Sequence, residues 1–249
     1  MYSSLGFALV LVVLCRPAGA QQSSPDQMSH QSISVEGMSI HAKILSLSSR
    51  EGLHMLMTPL RDAHPGDAER ADNVVETARQ KLSKYIDAKL AERDGYHVIR
   101  TPVSRYVYHF TNYEYLREAE QNLPFRADHP TSLIYVRKGG SFNFIGVMYY
   151  ASRAMSPDDL DKRIPLSVAR WHAHVNICMP PPRQLGRIWD PNPLFGEIGS
   201  IATRKECDEA GGRFLPQMYG WMVHVYLFEH DPKDIWSMDR VFDEERASK

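Results

Sequence analysis

A strict alternation between two kinds of residue runs from Ala169 to Cys178. One set of alternate positions is apolar, and the other set is polar and includes the imidazoles of His172 and His174. Period-two alternation predicts a β-strand that buries one face. The two histidines then point to the same side, about 6.5–7 Å apart along the strand. At that spacing they can bind one ion if the strand twists or the rings tilt.

A second strand near the end of the chain is predicted from the same kind of pattern. Apolar positions alternate there with more polar ones, Trp221, Val223, Val225 and Leu227 forming one set and Met222, His224 and Tyr226 the other. If the two strands are neighbours, His224 joins His172 and His174 in a set of three imidazoles.

The remaining pattern runs from a helix to strands. Apolar residues at spacings of three and four predict an amphipathic helix of about 26 residues, with Asp67 as its N-cap and Gly95 as its terminating residue. Strands are expected at 96–100, 105–110, 131–137, 141–150 and 220–228, and short helices at 113–121, after the cap Ser156, and at 203–210. Lys138-Gly139-Gly140 predicts a hairpin turn. This order predicts an α+β fold with an antiparallel sheet, built as a barrel or a sandwich.

The N-terminus has the features of an export signal. The apolar run 5–14 is too short to span a membrane, and Ala18-Gly19-Ala20 provides a small-residue cleavage site. We expect a signal peptide over 1–20 and a mature chain from Gln21; the alternative is an uncleaved N-terminal anchor. The other expected divisions are a loosely attached segment 21–60, a single domain 61–235 and a polar tail 236–249.

The composition of the chain limits the kinds of partner and compartment that we expect. The net charge of −1 gives no reason to expect binding to nucleic acid. After the signal peptide no apolar stretch reaches membrane length, so the mature protein is expected not to span a membrane and to be periplasmic or extracellular. In such an oxidising compartment Cys178 and Cys207 are expected to form a disulfide. Two alternatives stay open, namely Cys178 as a thiolate metal ligand and two free thiols.

Further residues could complete a histidine metal site. The candidates for a fourth ligand are His109, His129, Glu114 and Asp128, and the candidates to orient ligands or a substrate are Asn176, Arg170, Asn112 and His129. Three or four imidazoles suit zinc, copper or iron. Thioether and imidazole groups nearer the N-terminus are a plausible set for Cu(I) or ordinary packing residues: Met28, His30, Met38, His41, His54, Met55 and Met57.

A two-part arrangement resembles the metal motif of cupins, with His172-x-His174-x-x-x-Cys178 followed by Pro216, Gly220 and His224. The resemblance implies a small antiparallel barrel with a histidine-rich metal site. This chain departs from cupins in having Cys178 where they usually carry glutamate, and it lacks the glycines that flank their first motif.

Four segments between about residues 105 and 228 resemble a family of uncharacterised bacterial proteins, often secreted or membrane-attached: Tyr108-His109-Phe110-Thr111-Asn112, 144–149, 171–178 and 220–225. The resemblance brings no activity. It implies that His109, His172, His174 and His224 belong to one site.

Three functions are consistent with these patterns. The first is an exported protein with a strand-borne histidine metal site, with or without metal-dependent catalysis. The second is a non-catalytic copper- or zinc-binding module. The third has no metal, with the histidines lining a ligand pocket or facing solvent. The sequence contains no nucleophile elbow, His-Glu-x-x-His motif, phosphate loop or dinucleotide fingerprint, so it indicates no substrate.

Overall fold

The computed structural model describes residues 51–98 and 107–238. The strands are β1 Met55–Met57, β2 Tyr96–Val98, β3 Val107–Asn112, β4 Ser132–Lys138, β5 Ser141–Ala151, β6 His172–Met179, β7 Arg213–Gln217 and β8 Trp221–Tyr226. The helices are α1 Glu51–His54, α2 Asp67–Leu82, α3 Ala88–Arg93, α4 Tyr113–Glu120, α5 Pro157–Arg163, α6 Arg204–Glu209 and α7 Pro232–Ile235. Two 3₁₀ segments cover Ser83–Ile86 and Pro182–Trp189.

The strands form one antiparallel sheet in the order β1-β6-β8-β5-β4-β3-β2, with β7 paired to β6 outside this path. The predicted α+β class with an antiparallel sheet is therefore confirmed. Within the described residues the sheet is not closed into a barrel. The closed barrel, which was one of the two predicted forms and the one implied by the cupin resemblance, is therefore not formed.

The two faces of the sheet have different chemistry. One face carries the main core, in which the sheet residues Phe110 and Val147, and Trp171 just before β6, pack with Ala71 and Ala78 of α2. Since neighbouring residues of a strand point to opposite faces, the histidines of β6 and β8 lie on the other face. The side chain of Trp171 is fully buried in the main core.

The long predicted helix is divided into α2, a 3₁₀ turn and α3. The turn directs Tyr85 into the core, leaves Ile86 62% exposed, and lets the Tyr85 carbonyl accept a hydrogen bond from the Tyr135 hydroxyl at 2.6 Å. Asp87 caps α3 by accepting from the backbone N–H of Lys89. The helical spacing alone could not indicate this break, because it depends on packing against a distant strand.

The predicted N-cap of this helical region is wrong, whereas its predicted terminating residue is confirmed. Gly66, and not Asp67 as predicted, occupies the N-cap position with a φ of 90°, while Asp67 accepts from the backbone N–H of His64 at 2.9 Å. Gly95 ends the region as predicted, with a φ of 91°.

Local signals elsewhere are confirmed. Gly139 and Gly140 have φ values of 57° and 85° and join β4 to β5, as a type I′ hairpin turn requires. Ser156 caps α5 and Thr203 caps α6. Each side chain accepts a hydrogen bond from the backbone N–H of the residue three positions later.

The folded chain extends beyond the boundaries expected from the sequence. Met55 already belongs to the sheet, before the expected start of the domain at residue 61. Trp236 packs in the main core and Met238 against β1, inside the expected polar tail. The expected signal peptide and the residues Met28, His30, Met38 and His41 lie outside the described residues. Among those that are described, no helix is long and apolar enough to cross a membrane.

Candidate metal centre

Strand pairing brings β6 and β8 together, which was the condition for their three histidines to meet. His172 lies opposite Met222, so His224, two residues after Met222, shares the face of His172. β7 and β8 pair in turn with the same edge of β6. Gln217 of β7 lies opposite Val175, and Met222 of β8 lies opposite His172. The two histidine strands are therefore neighbours.

Four imidazoles come into contact on this face. The ring centres of His172 and His224 are 5.1 Å apart, and those of His172 and His174 are 5.6 Å apart. His109 joins them from β3, with its ring centre 5.6 Å from that of His224. Residues from three strands far apart in the sequence thus form one histidine cluster, consisting of His109, His172, His174 and His224.

Two strands, β4 and β5, lie between the strands that carry His109 and His224. β3 and β8 are separated by β4 and β5, so their backbones are roughly 14 Å apart at ordinary strand spacing. The two rings therefore lean towards each other across the sheet. Gly146, in the same cross-strand row as His109, carries no side chain there, and a Cβ at this position would meet the carbonyl oxygen of Val225.

Burial keeps two members of the cluster neutral at pH 7. His172 is 2% exposed and His224 is 9% exposed. Loss of hydration, together with smaller contributions from His109 and His174, lowers the pKa of His224 to about 3. The same cause, followed by repulsion from His224, holds the pKa of His172 well below its ordinary value, while a backbone hydrogen bond at Met222 acts in the opposite direction.

Each of these two rings also has a nitrogen that the described residues leave unsatisfied. The Nδ1 atoms of His172 and His224 are buried and have no hydrogen-bond partner among them. A buried polar atom without a partner costs about 1–3 kcal/mol. These nitrogens are therefore available to a ligand of the cluster.

The cluster has one more accessible side. His174 is half-buried, and the ring of Tyr219 lies 6.1 Å from it with 39% of that residue exposed. His172 and His224 lie deeper than these two residues.

Several residues named from the sequence have structural contacts outside the cluster. Asn112 caps α4 by accepting from two backbone N–H groups, and His129 stacks on Tyr115 with ring centres 4.2 Å apart. Asp128 pairs with Arg126 at 3.0 Å. Glu114 lies exposed in the first turn of α4, and Arg170 is half-buried just before β6.

The alternation of β6 ends at Asn176, which has a φ of 57°. Its side-chain amide donates to the carbonyl of Leu53 at 3.3 Å, so the side chain holds the segment before β1.

Further along β6, Cys178 forms the predicted disulfide with Cys207, with their Cα atoms 5.6 Å apart. This pairing excludes Cys178 as a thiolate ligand.

Both ring nitrogens of His54 lie within hydrogen-bond distance of backbone carbonyl oxygens. It is 1% exposed, and its Nε2 lies 2.8 Å from the carbonyl oxygen of Gly199 and its Nδ1 3.3 Å from that of Val175. Of the thioether and imidazole residues noted near the N-terminus, Met55 and Met57 therefore remain as candidates within the described chain.

The four imidazole rings contact one another, but they are not arranged as a metal site. In residues 51–98 and 107–238, no group of three or more His, Cys, Asp or Glu side chains is arranged to hold one ion. Rotation of the imidazoles about their side-chain bonds would be needed, and the broad χ2 preference of histidine allows it.

Sequence reasoning did not assign a role at the site to Met148, which lies opposite His224 on β5. The signal was available in principle, because β5 alternates with the same period as β6. Which residues oppose one another depends on strand register, however, and register is not visible in one strand.

Comparisons of the chain with models of protein families, with curated proteins and with solved structures found no match.

Proposed function

We propose that this protein binds a metal ion through the histidine cluster, with His172 and His224 as principal ligands and His174 and His109 beside them. The observation that carries the proposal is the pair of buried rings 5.1 Å apart, each with a buried Nδ1 atom that no described residue satisfies. Zinc, copper and iron are all bound by neutral imidazole.

The spacing of the rings supports the proposal. Two imidazoles bound to one zinc ion at about 2.0–2.1 Å and near the tetrahedral angle have ring centres roughly 5 Å apart. The three ring pairs of the cluster have centres 5.1–5.6 Å apart. For the pair His172 and His224, small changes in ring orientation would therefore bring a nitrogen of each ring to a common ion without moving the strands.

The protonation state of the rings also supports it. A metal must displace any proton on the ligand nitrogen, so binding is weaker where the imidazole is charged. Burial has already lowered the pKa of His224 to about 3 and that of His172 in the same direction. No proton competes with the ion at neutral pH.

Metal content of the untagged protein tests this function. We expect close to one ion per chain by elemental analysis, and its loss in a variant carrying both His172→Ala and His224→Ala. His97→Ala is the matched control, since His97 is exposed on β2 and lies outside the cluster. Equal metal content in the double variant and in the control would show that the cluster is not the site.

We further propose that the protein is exported, to the periplasm or outside the cell. The disulfide between Cys178 and Cys207 is compatible with an oxidising compartment. The apolar run 5–14 and the small residues before Gln21 supply the signal. The thiol measurement described below for the disulfide bears on this proposal as well.

A further inference from the structure

Methionines lie directly opposite the histidines of β6 and β8. The cross-strand pairs are Met55 with His174, Met57 with His172, Met222 with His172 and Met148 with His224. Directly opposed residues of antiparallel strands share a face, with Cβ atoms about 4.5–5.5 Å apart. Four of the eleven methionines of the chain therefore border the histidine cluster.

We propose that the ion of this site is Cu(I), held by imidazoles of the histidine cluster together with the thioether sulfurs of Met57 and Met222. This inference rests on the proposed function and names its ion. Both methionines are neighbours of His172, one on each side, and both are buried. Thioether sulfur is a soft ligand that selects Cu(I) over the harder divalent ions.

A thioether ligand accounts for the incomplete arrangement of the histidines. No three His, Cys, Asp or Glu side chains of the described chain are arranged around one point, although His172 and His224 are close. Cu(I) is stable with few ligands, so two imidazoles and one sulfur suffice. The three rotatable bonds of methionine allow the sulfur to reach an ion beside His172.

The charge of the site also favours a monovalent ion. Imidazole and thioether ligands are neutral, and no aspartate or glutamate of the described chain hydrogen-bonds or pairs with His172, His174 or His224. The cost of moving an ion from water into a low-dielectric interior rises with the square of its charge. A buried site of neutral ligands therefore accepts Cu(I) at lower cost than Zn²⁺ or Cu²⁺.

Plain packing is the competing explanation for these methionines. Met55 and Met57 pack with Met238 in a small buried cluster, and methionine fills irregular gaps in protein interiors. Leucine would then serve equally well at positions 57 and 222. Replacement by leucine keeps the apolar volume and removes only the sulfur, so it separates the two explanations.

The experiment is an anaerobic titration with Cu(I), in competition with a chromophoric Cu(I) chelator, and a parallel titration with Zn²⁺. The full chain carries Cys15→Ser, so that with Cys178 and Cys207 joined no thiol competes for copper. We expect one Cu(I) per chain, and at least tenfold weaker Cu(I) binding in the double variant Met57→Leu and Met222→Leu. Zinc affinity should be the same in both. Met155→Leu, which packs against the main core, is the matched control.

X-ray absorption of the Cu(I)-loaded, unsubstituted chain provides a measurement that does not depend on the folding of a variant. Sulfur together with nitrogen in the first coordination sphere is expected. Nitrogen alone, or unchanged Cu(I) affinity in the double variant, would overturn the assignment of Met57 and Met222 as ligands. Binding of Zn²⁺ without Cu(I) would overturn the assignment of copper. Each of these outcomes would leave the histidine metal site standing. Binding of neither ion would overturn the proposed function as well.

Discussion

Burial acts unequally on the residues of the histidine cluster. His172 and His224 lie deep between strands, and their charged forms lose hydration that no described acidic group replaces. His174 is half-buried and lies at the accessible side of the cluster. The same residue type in the same alternating pattern thus takes different chemical roles according to depth.

This depth predicts a pH dependence of stability for the metal-free protein. In the unfolded chain both deep histidines regain an ordinary pKa near 6.5, whereas in the folded chain the pKa of His224 is about 3 and that of His172 is also lowered. Below pH 6.5 the unfolded state therefore binds more protons, so the free energy of unfolding falls as the pH falls. The slope is about 1.4 kcal/mol per pH unit for each histidine.

Urea denaturation in the presence of a chelator, between pH 7 and about pH 5.5, measures this slope above the range in which carboxylates titrate. His172→Gln with His224→Gln should flatten the curve, and His97→Gln on the exposed side of β2 should leave it steep. A flat curve for the unsubstituted protein would contradict the burial of the two rings.

At the scale of elements, the cluster depends on how closely the strands approach one another. Gly146 lies between the strands that carry His109 and His224, and a Cβ there would meet the backbone oxygen of Val225. Backbone cannot rotate away as a flexible side chain can. The separation of β5 from β8 is thus fixed by a residue with no side chain.

We expect Gly146→Ala to lower the free energy of unfolding by about 1–3 kcal/mol, the usual cost of overpacking. The urea midpoint of the metal-free protein measures this change. Gly186→Ala is the matched control, because a Cβ at Gly186 meets no atom within 4 Å. Equal midpoints for the two variants would mean that β5 and β8 can separate without cost.

The elements themselves differ in how far the sequence predicted them. The hairpin at Gly139 and Gly140 and the helix caps at Ser156 and Thr203 were predictable, because each depends on the conformational preference of a few adjacent residues. β1 and β7 were not predicted. They have three and five residues, and their partner on β6 determines their position more than their own sequence does.

At the scale of the whole molecule, the disulfide joins the end of β6 to α6 and closes a loop with a sequence separation of 29. It holds Cys178 in a separate apolar cluster with Phe195 and Ile201, apart from the histidine cluster. The bond therefore stabilises the fold without taking part in the proposed metal site.

Replacement of Cys178 and Cys207 by serine should lower the free energy of unfolding by about 3.5 kcal/mol in the chain-entropy account of such a loop. Cys15→Ser is the control and should leave stability unchanged. In the exported protein, thiol titration after denaturation without reduction should find neither cysteine free. Two free thiols in that protein would contradict both the bond and the oxidising compartment that we propose.

Alternation in the sequence determined which residues of β6 and β8 share a face, because the direction of a side chain on a strand is a local property with a period of two. It also placed His172, His174 and His224 together as candidates. Only the tertiary structure decided that His109 reaches the same cluster across β4 and β5, and that Met57 and Met222 lie on either side of His172. Strand order, register and depth arise from contacts between distant segments, and these contacts set which groups meet and whether they carry charge.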